Sequence, residues 1–563
     1  MEQQRVLITS ALPYANGPLH FGHIAGAYLP ADCYARFERL LGHDVLYICG
    51  SDEHGVAITL SADLAKRTPK EHVDEFHAIN EALFRKLAFS FDHYSRTTWP
   101  GHIETTQQFF FDLLANGYIE ERVTEQLYSE QDAVFLADRY VVGTCPRCGF
   151  GEARGDECQK CGASYEATDL KEPKSKMTGA LLSKKQTNHW FLRFDLLKEK
   201  LHEWLQTRDW KPNVLSFAKH YVEELRPRAI TRDSSWGIPV PLPEAQGKVF
   251  YVWFDAPIGY ISATKEWAEK HGDPTGWQRF WLDPSTKYVQ FIGKDNIPFH
   301  AVFFPAMIMG QNMPYKLVDE LPANEFLNLE GRQFSKSEGW TIDLQRFFER
   351  YTTDQIRYVL AANAPESQDA EFSWKDFGLR CNSELASKYG NFINRVLVFT
   401  KQHAGGKVPA SSDLEPVDLA FREKIHEICS RVKESYTLFH LRKASQLMME
   451  LAQAGNVYFD TKKPWIAARS GVGKEAMYTT LSLCFEALKL LALISFPIIP
   501  ESAAKLYRLL GFTEPLEMEL WDAVVVKKIL TEQALQEPEI LFHKVDSSWI
   551  EEELVFLEKM KRV

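Results

Sequence analysis

Apolar and polar positions near the start of the chain are arranged as expected for strands separated by a helix. The β-branched run Val6–Thr9 has the pattern of a short strand, and residues 12–18 form a turn-rich loop after it. From His23 the apolar residues recur mostly every three or four positions, so we predict a helix that ends at Gly42. Asp44–Cys49 has the pattern of a second strand. A strand, a helix and a strand make a βαβ unit, and such units build a parallel sheet covered by helices.

The pattern changes twice further along the chain. Residues 116–229 contain few long periodic segments, as expected of an insertion into the α/β domain. Strand-like runs return at Lys248–Phe254 and Tyr288–Ile292, so we expect the sheet to resume there. After about residue 380 helical periods dominate, which predicts an α-helical bundle. We expect its helices near 382–403, 415–439, 441–460 and 474–496.

These changes define the expected fold class. It is an α/β protein with a Rossmann-like parallel sheet, interrupted by an insertion and followed by an α-helical bundle domain. The expected segments are 1–115, the first half of the Rossmann-like domain; 116–229, a connective insertion with a cysteine cluster; 230–321, the second half of that domain; 322–385, a linking region; 386–545, the helical domain; and 546–563, a C-terminal helix or tail.

Composition narrows the class of protein. Of the 563 residues, 45% are hydrophobic and 25% are charged, which is the ordinary mixture of a globular protein. The net charge of −11 excludes a surface that attracts nucleic acid everywhere, but it allows a local basic surface. The best apolar run, residues 490–499, is shorter than the roughly 20 residues that a membrane span needs, and we find no secretory signal. We therefore expect a cytoplasmic protein that does not contact a membrane.

Four of the nine cysteines lie in two C-x-x-C-G motifs. Cys145 and Cys148 belong to the first motif, and Cys158 and Cys161 belong to the second. Four thiolates at this spacing fit a closed tetrahedral zinc site, in which no position stays open for a substrate. A redox pair is the alternative, but such a pair is not expected to occur twice in succession. We therefore predict one structural Zn2+ ion with four cysteine ligands.

Two histidines flank a glycine near the point where the first strand gives way to a helix. His20, Gly22 and His23 would lie beyond the carboxyl end of a parallel strand, where ligands bind in open α/β sheets. Imidazoles can donate hydrogen bonds to phosphate oxygens, and glycine lets a nucleotide approach the backbone. Taken alone, the motif also fits two incidental histidines beside a helix cap.

A second polar motif spans residues 331–339 and has a glycine at each end. It carries Lys336 between the hydroxyl groups of Ser335 and Ser337. Such a segment can close over a triphosphate, although the sequence alone also fits an ordinary surface loop.

Acidic and aromatic residues supply a candidate amino-acid pocket. Asp52 follows the second strand, where a carboxylate can either bind an ammonium group or cap a helix. The run Trp253–Tyr260 combines large aromatic and small residues, which suits either a plain core or a thioether, since a thioether is recognised by shape and sulfur–aromatic contact. Beyond a later strand, Gly293 would admit a nucleoside, and Asp295 would either accept from ribose hydroxyls or cap the turn.

The two phosphate motifs resemble the H-I-G-H and K-M-S-K-S signatures of class I aminoacyl-tRNA synthetases. With the candidate pocket, the cysteine motifs and the helical C-terminal region, they make the chain similar to the methionyl-tRNA synthetases over roughly residues 4–550. Three positions depart from the family pattern. Phe21 and Phe334 replace other apolar residues, and Gln333 stands where the family usually has its first lysine. We hypothesise that the neighbouring Arg332 compensates for that lost cation.

The resemblance implies a reaction in two steps. ATP and L-methionine give methionyl-adenylate and diphosphate, and the methionyl group then passes to tRNA(Met), including the initiator tRNA, with release of AMP. It also implies Mg2+ bound with ATP and a role in protein biosynthesis. The short insertion argues against the large editing domain of the isoleucine, valine and leucine enzymes. We expect a monomer, because no dimerisation module follows the helical domain.

The resemblance also assigns site residues position by position. The catalytic set is His20, His23 and Lys336. The ATP-binding set is Asn16, His20, Gly22, His23, Gly293, Asp295, Ser335, Lys336 and Ser337. The methionine-binding set is Leu12, Tyr14, Asp52, Trp253, Ala256, Pro257, Tyr260, Ile297 and His300. The anticodon-binding set is Asn391, Arg395 and Trp465 in the helical domain, although each of these three alone also fits an ordinary surface role.

Three other interpretations stay open at the level of sequence. A cysteine-specific class I synthetase would be expected to ligate its substrate thiolate with an incomplete metal set. A small-molecule nucleotidyltransferase shares the H-x-G-H element but does not need the helical half. A tRNA-binding module without activity does not need the phosphate motifs. Pyrophosphate exchange into ATP with each amino acid in turn separates these classes.

Overall fold

The computed structural model describes residues 3–131, 134–136, 140–155, 158, 160–161, 165–176, 178–335 and 338–561. A five-stranded parallel sheet lies in the N-terminal part. From one edge to the other, its strands are Ala323–Asn324, Lys287–Gly293, Arg5–Ser10, Asp44–Ser51 and His93–Arg96. The sheet confirms the predicted βαβ unit and the parallel α/β fold.

The strand order reverses at the first strand, Arg5–Ser10. Asp44–Ser51 pairs with it on one side, and Lys287–Gly293 pairs with it on the other side after a long excursion of the chain. Its side chains alternate between two hydrophobic cores that cover the two faces of the sheet. Ligands bind beyond the carboxyl ends of the strands at such a reversal, so the crevice next to Ser10 and Gly293 is the expected place for a nucleotide.

Helices cover both faces of this sheet. The short turn Phe21–His23 passes through a π-helical segment, Ile24–Tyr28, into the helix Leu29–Leu40. A second π-helical segment, Phe299–Phe303, precedes Phe304–Met309, and both segments lie beside predicted site residues, as π segments often do. The remaining helices here are Val56–Leu64, Pro69–Lys86, Pro100–Ala115, Val252–Asp255, Gly259–Lys270 and Gln278–Trp281.

The described residues of the insertion form two antiparallel sheets and two α-helices. The larger sheet consists of Arg228–Ala229, Leu182–Leu192, Ile119–Ser129 and Val134–Phe135. The smaller sheet consists of Ala153–Arg154, Val141–Thr144 and Lys171–Ser175. The helices are Lys198–Gln206 and Pro212–Glu223, whose apolar faces join the core on one side of the central sheet. The cysteine motifs therefore lie around the smaller sheet.

One of the two predicted later strands is wrong. Only Lys248–Phe250 of the run Lys248–Phe254 is extended, and it pairs antiparallel with Thr231–Asp233 outside the central sheet. The rest of the run enters the helical turn Val252–Asp255. A short apolar run fits a buried strand and a buried helical turn equally well, so periodicity did not distinguish them. The other run is confirmed as Lys287–Gly293.

The C-terminal part is helical, as predicted. The linking region contains the helices Leu344–Arg350, Thr353–Ala362 and Trp374–Arg380 and the parallel strands Leu327–Leu329 and Ala370–Phe372. The bundle contains the π-helical segment Cys381–Gly390 and the helices Asn391–His403, Pro416–Thr437, Leu441–Lys462, Pro464–Ser470, Lys474–Ser495, Pro500–Leu509 and Trp521–Val526, with Ser547–Met560 at the C-terminal end. Lys474–Ser495 has the length and apolarity of a membrane span, but 83% of its most apolar stretch is buried, so it is a core helix of the bundle.

A buried arginine joins the sheet to the bundle. Arg357 donates hydrogen bonds at 2.7–3.0 Å to four groups, which are the Asp32 carboxylate and the backbone oxygens of Leu87, Pro497 and Ile498. Burial works to raise the pKa of Asp32, but the Arg36 and Arg357 guanidinium groups hold that pKa far below its ordinary value. These contacts fix the position of the helical domain relative to the crevice.

Candidate active site and anticodon surface

The H-x-G-H motif lies beyond the carboxyl end of the first strand. The helical turn Phe21–His23 follows His20, whose backbone N–H donates to the His23 Nδ1 atom at 3.2 Å. The two imidazole rings stack with 3.7 Å between their centroids. Phe21 is fully buried and anchors the turn, whereas His23 is exposed. The motif therefore places both imidazoles at the crevice.

The second phosphate motif packs directly on the first. Phe334 stacks on His20, with 4.5 Å between the ring centroids and an angle of 4° between the rings. A Cβ atom on Gly22 would lie 3.0 Å from the His20 ring and 3.2 Å from the Phe334 ring. Glycine is therefore the residue that leaves room for this stack, and the stack brings together two motifs that are far apart in the sequence.

The described residues that flank positions 336 and 337 make close contacts with one another. Ser335 exchanges two backbone hydrogen bonds with Trp340, at 2.9 and 2.8 Å. Arg332 pairs with Glu338 at 3.0 Å, and its guanidinium lies over the Trp340 ring. Because Arg332 is engaged by Glu338 and Trp340, its proposed compensation for the lysine that Gln333 replaces stays a prediction. Two of the predicted phosphate-binding residues, Lys336 and Ser337, lie outside the part of the chain that the structure describes.

The remaining ATP candidates lie on both sides of the strand-order reversal. Asn16 is in the loop after the first strand, and its Oδ1 atom lies 3.2 Å from His72 Nε2. Gly293 ends the strand on the other side, and a Cβ atom there would lie 2.7 Å from Asp295 Oδ1. Gly293 thus leaves space for the Asp295 carboxylate, which is exposed beside the crevice.

The structure brings the methionine candidates together from four parts of the chain. Tyr14 pairs through its backbone with Asp52, so the loop after the first strand lies against the end of the second. A Cβ atom on Gly259 would lie 2.7 Å from the Leu12 side chain, which places the helical turn 256–258 against the same loop. Tyr260 lies at the start of the following helix, and its hydroxyl lies 2.8 Å from His300 Nε2. The nine predicted residues are Leu12, Tyr14, Asp52, Trp253, Ala256, Pro257, Tyr260, Ile297 and His300.

His300 is a neutral imidazole with a defined tautomer. Burial lowers the pKa of His300 to about 4. Its Nδ1–H donates to the Asn296 backbone oxygen at 3.0 Å, so its Nε2 atom accepts from the Tyr260 hydroxyl at 2.8 Å. The pair is uncharged and buried, so it suits an apolar neighbour better than a charged one.

Asp52 supplies the candidate ammonium site. Its side chain is almost fully buried, and burial, together with the nearby Asp255, raises its pKa well above the ordinary value. His54 Nδ1 lies 2.9 Å from Asp255 Oδ2 and partly offsets the raised pKa of Asp255. An ammonium group in this pocket would stabilise the ionised form of Asp52, because opposite charges favour each other strongly where water is excluded.

The loop that carries Asp52 is held by its neighbour Glu53, which sequence reasoning missed. Glu53 is fully buried, and its carboxylate accepts from Arg96 Nε at 2.9 Å and from the hydroxyls of Ser51 and Thr98 at 2.7 and 2.5 Å. These bonds fix the backbone on which Asp52 is mounted. Arg96 and Thr98 belong to a different segment of the chain, so no local pattern in the sequence could predict that Glu53 binds them.

Phe299 is a second residue that sequence reasoning missed. It stacks on Trp253 with 3.5 Å between the ring centroids and 7° between the rings. Phe299 covers one face of the Trp253 indole, and Trp253 is half-buried. The position of Phe299, one residue before His300, was the available signal. The aromatic surface that would meet a thioether is therefore built from two chain segments.

The four cysteines of the two C-x-x-C-G motifs converge on one point. Their sulfur atoms all lie within 4.8 Å of one another, with 3.9 Å between Cys145 and Cys161 and 3.6 Å between Cys148 and Cys158. Metal–sulfur bonds of about 2.3 Å in a tetrahedron separate the sulfurs by roughly 3.8 Å, so the set fits a tetrahedral ion. The backbone N–H groups of Arg147 and Cys148 donate to Cys145 Sγ at 3.4 Å, which stabilises a thiolate there. The cluster can therefore hold a metal ion.

One helix, Leu441–Lys462, supports all three anticodon candidates. Its Asn456 side chain accepts from the Asn391 amide at 3.0 Å. Its Phe459 ring lies 4.9 Å below the Arg395 guanidinium and 6.1 Å from the Trp465 ring. Arg395 also pairs with Asp460 at 2.5 Å. The candidates brought together on this surface are Asn391, Arg395 and Trp465, and their supports Asn456 and Phe459 were not predicted because helical periodicity marks them only as core positions.

A strand-order reversal, with the H-x-G-H motif in contact with the 331–339 loop and a helical domain following in the chain, fits the architecture of a class I tRNA synthetase. A family profile described as "tRNA synthetases class I (M)" matches residues 6–397, and the chain belongs to this family. A second profile, described as "Anticodon binding domain of methionyl tRNA ligase", matches residues 408–555.

Individual relatives agree with the family match. The chain is 64% identical over 557 residues to the methionine--tRNA ligase of Protochlamydia amoebophila, covering 99% of this chain and 80% of that protein. It is 53% identical over 554 residues to the methionine--tRNA ligase of Chlamydia trachomatis, covering 97% of this chain and 100% of that protein. Its fold is similar to that of Mycobacterium tuberculosis methionyl-tRNA synthetase in complex with methionyl-adenylate, with a TM-score of 0.80, 26% identity, and coverage of 96% of this chain and 100% of that chain.

Proposed function

We propose that this protein is a methionine--tRNA ligase that charges tRNA(Met), initiator tRNA included, in two steps. The methionine carboxylate attacks the α-phosphorus of ATP, so that a C–O–P bond forms, the bond to the β-phosphate breaks, and diphosphate leaves. A ribose hydroxyl of the terminal adenosine then attacks the acyl carbon of methionyl-adenylate, and AMP leaves. The stack of Phe334 on His20 carries this proposal, because it joins both phosphate motifs beside the Asp52 pocket.

The substrate test is pyrophosphate exchange into ATP with each of the twenty amino acids in turn. We expect exchange with methionine and transfer of methionine to tRNA(Met). Exchange with cysteine alone, or with none of the amino acids, would overturn the proposed substrate.

The chain contributes binding and positioning to the first step rather than a covalent nucleophile. We assign the phosphates to the imidazoles of His20 and His23 and to Lys336, with further ATP contacts from the other members of the ATP-binding set. Donors held in advance where negative charge develops stabilise the transition state without reorganisation. Mg2+, when bound with ATP, would neutralise the phosphate oxygens.

Methionine recognition divides between charge and shape. We assign the ammonium group to Asp52 and the thioether to the pocket between Trp253 and the Tyr260–His300 pair. The Tyr260 hydroxyl is already used by His300, so the pair does not offer a strong donor to a sulfur that accepts poorly. Leucine and isoleucine would be distinguished by shape, since they lack the unbranched thioether.

We propose Zn2+ as the ion of the cysteine cluster, in a structural role. Four sulfur ligands close the tetrahedron, so no coordination position is left for a substrate. The ion would hold the smaller sheet of the insertion together, since a structural zinc site supplies folding free energy.

Replacing Cys145 with serine should remove about one zinc ion per chain, as measured by elemental analysis, because four-thiolate sites lose affinity when a ligand is lost. Limited proteolysis should then cut within residues 116–229 before the rest of the chain. Cys429→Ala, a buried cysteine in the helical bundle, is the matched control and should keep its zinc. Protein that contains no zinc before mutation would contradict the assignment.

We propose that Asn391, Arg395 and Trp465 read the unpaired anticodon bases. An amide and a guanidinium can hydrogen-bond base edges, and an indole face can stack on a base. The half-buried Trp465 keeps part of its ring exposed while Phe459 supports it, which suits a stacking platform.

Replacing Trp465 with alanine should lower kcat/KM for aminoacylation of tRNA(Met) about 5- to 150-fold, because base stacking contributes about 1–3 kcal/mol. Methionine-dependent pyrophosphate exchange, which involves no tRNA, is the comparison on the same variant. Ile466→Ala changes the next residue on the same short helix and should alter aminoacylation little. Equal losses in exchange and aminoacylation for Trp465→Ala would show that the ring is only a structural support.

The same proposal includes a division of labour along the chain. Residues 1–115 and 230–321 form the two halves of the catalytic domain, 116–229 the insertion, 322–385 the linking region, 386–545 the anticodon-binding domain and 546–563 the C-terminal helix or tail. We also propose that the protein acts in the cytoplasm as a monomer, and light scattering tests the latter.

A further inference from the structure

Lys463 is an exposed cation at the edge of the anticodon surface. It connects Leu441–Lys462 to Pro464–Ser470 and lies two positions before Trp465. Its side chain makes no ion pair or hydrogen bond with any residue that the structure describes. The adjacent Lys462 differs, because it is held by Glu415 and Asp418, whose oxygens lie within 3.0 Å of its Nζ atom. The ammonium group of Lys463 is therefore available to a ligand.

The backbone of Lys463 adopts a conformation that lysine disfavours. Its φ and ψ angles are 46° and 53°, in the left-handed region, where glycine and asparagine are the residues with little steric penalty. The Lys463 N–H donates to Phe459 O at 3.1 Å, and Ile466 N–H donates to the Lys463 carbonyl at 2.9 Å, so both helix ends depend on this conformation. Glycine would adopt this conformation at lower steric cost, so the turn itself does not require the ammonium group of Lys463.

The surrounding charge determines what such a cation would bind. The protein carries a net charge of −11, so its attraction for a polyanion must come from particular residues. Base contacts specify a nucleic acid, whereas phosphate contacts position it. Trp465 and Arg395 are suited to bases, and Lys463 has the compact ammonium group that suits a phosphate oxygen.

Resting on the proposed tRNA-charging function, we propose that Lys463 binds the sugar–phosphate backbone of the anticodon loop, next to the base that stacks on Trp465. The left-handed turn holds the lysine at the start of the helix that carries the indole. The contact is independent of base identity, and it positions the loop so that the three anticodon residues can read it.

The test compares Lys463→Gly, Lys463→Arg and Lys66→Gly with the unmodified protein. Lys66 is a matched control, because it is also an exposed lysine with a positive φ (55°), in the catalytic half. The measurements are the melting temperature and the dissociation constant for tRNA(Met) between about 0.05 and 1 M salt, with a tRNA of altered anticodon in parallel.

For Lys463→Gly we expect an unchanged or higher melting temperature, because glycine relieves the left-handed strain. The slope of log affinity against log salt should decrease by about 0.7, the value for one single-strand phosphate contact. Over a tenfold range of salt this corresponds to about fivefold weaker binding at the low end. The loss should be the same for both tRNAs, Lys463→Arg should restore binding, and Lys66→Gly should bind as the unmodified protein does.

An unchanged salt slope in Lys463→Gly would overturn the proposal. A loss confined to the cognate anticodon would also overturn it, since that pattern belongs to base readout. A lower melting temperature together with weaker binding would show that the lysine is structural. If the unmodified protein neither binds tRNA(Met) nor performs methionine-dependent exchange, the proposed function fails, and that result is distinct from the outcomes for Lys463.

Discussion

Replacing His20 with alanine should lower methionine-dependent pyrophosphate exchange about 100- to 1,000-fold, because removing one preorganised donor from a site of developing charge costs about 3–4 kcal/mol of transition-state stabilisation. His20 lies where the crevice, the helical turn Phe21–His23 and the Phe334 ring meet. The loss should appear in kcat for adenylate formation, measured by single-turnover mixing. The dissociation constant of methionine should change little, since the ammonium and thioether sites lie elsewhere.

Two comparison variants separate donation by His20 from its stacking. His220→Ala removes an exposed histidine of the insertion and should leave exchange unchanged. Phe334→Leu keeps the imidazole but removes the aromatic stack. If Phe334→Leu reduces exchange as much as His20→Ala does, the imidazole acts only as a packing partner for the loop. Exchange within threefold of the unmodified rate in His20→Ala would contradict any phosphate role.

Replacing Asp52 with asparagine should weaken methionine binding about 30-fold to several thousand-fold, since loss of one partner of a buried charge pair costs about 2–5 kcal/mol. Asparagine preserves the shape of the side chain but not its charge. Equilibrium dialysis with methionine, in the absence of ATP, measures the effect directly. Asp413→Asn, at an exposed position of the helical domain, is the control. An unchanged dissociation constant would place the ammonium group somewhere other than Asp52.

Methionine binding should also depend on pH in a defined direction. Burial and the neighbouring Asp255 raise the pKa of Asp52, so the carboxyl retains a proton at pH values where an exposed aspartate is ionised. The ammonium of methionine favours the ionised form, so binding releases a proton. Affinity should therefore fall as pH drops below the raised pKa, by up to about tenfold per pH unit, and Asp52→Asn should lose this dependence. Calorimetry in two buffers of different ionisation enthalpy measures the released proton.

The sequence was sufficient to predict those features that depend on residues close together in the chain. The βαβ start, the helical second half and the paired cysteine motifs all depend on spacings of a few residues, which hydrophobic period and ligand chemistry determine. The cysteine positions were sufficient to predict the four-sulfur cluster, because two residues between thiols already place them for one ion. The two phosphate motifs were recognisable for the same reason, although neither one alone identified a site.

Tertiary structure decided the contacts between distant segments. Whether residues 248–254 would form a strand or a helical turn depended on the surfaces they pack against. The first part became a short strand, and the second part became a helical turn. The stack of Phe334 on His20 and that of Phe299 on Trp253 join residues whose separation in the chain gives no signal. The Arg357–Asp32 pair likewise joins distant parts of the chain, because it holds the C-terminal helical part against the helix that covers the central sheet. Local pattern records which residues favour burial or a turn, but the partner of each buried side chain is set only when the folded chain brings remote surfaces together at close-packed density.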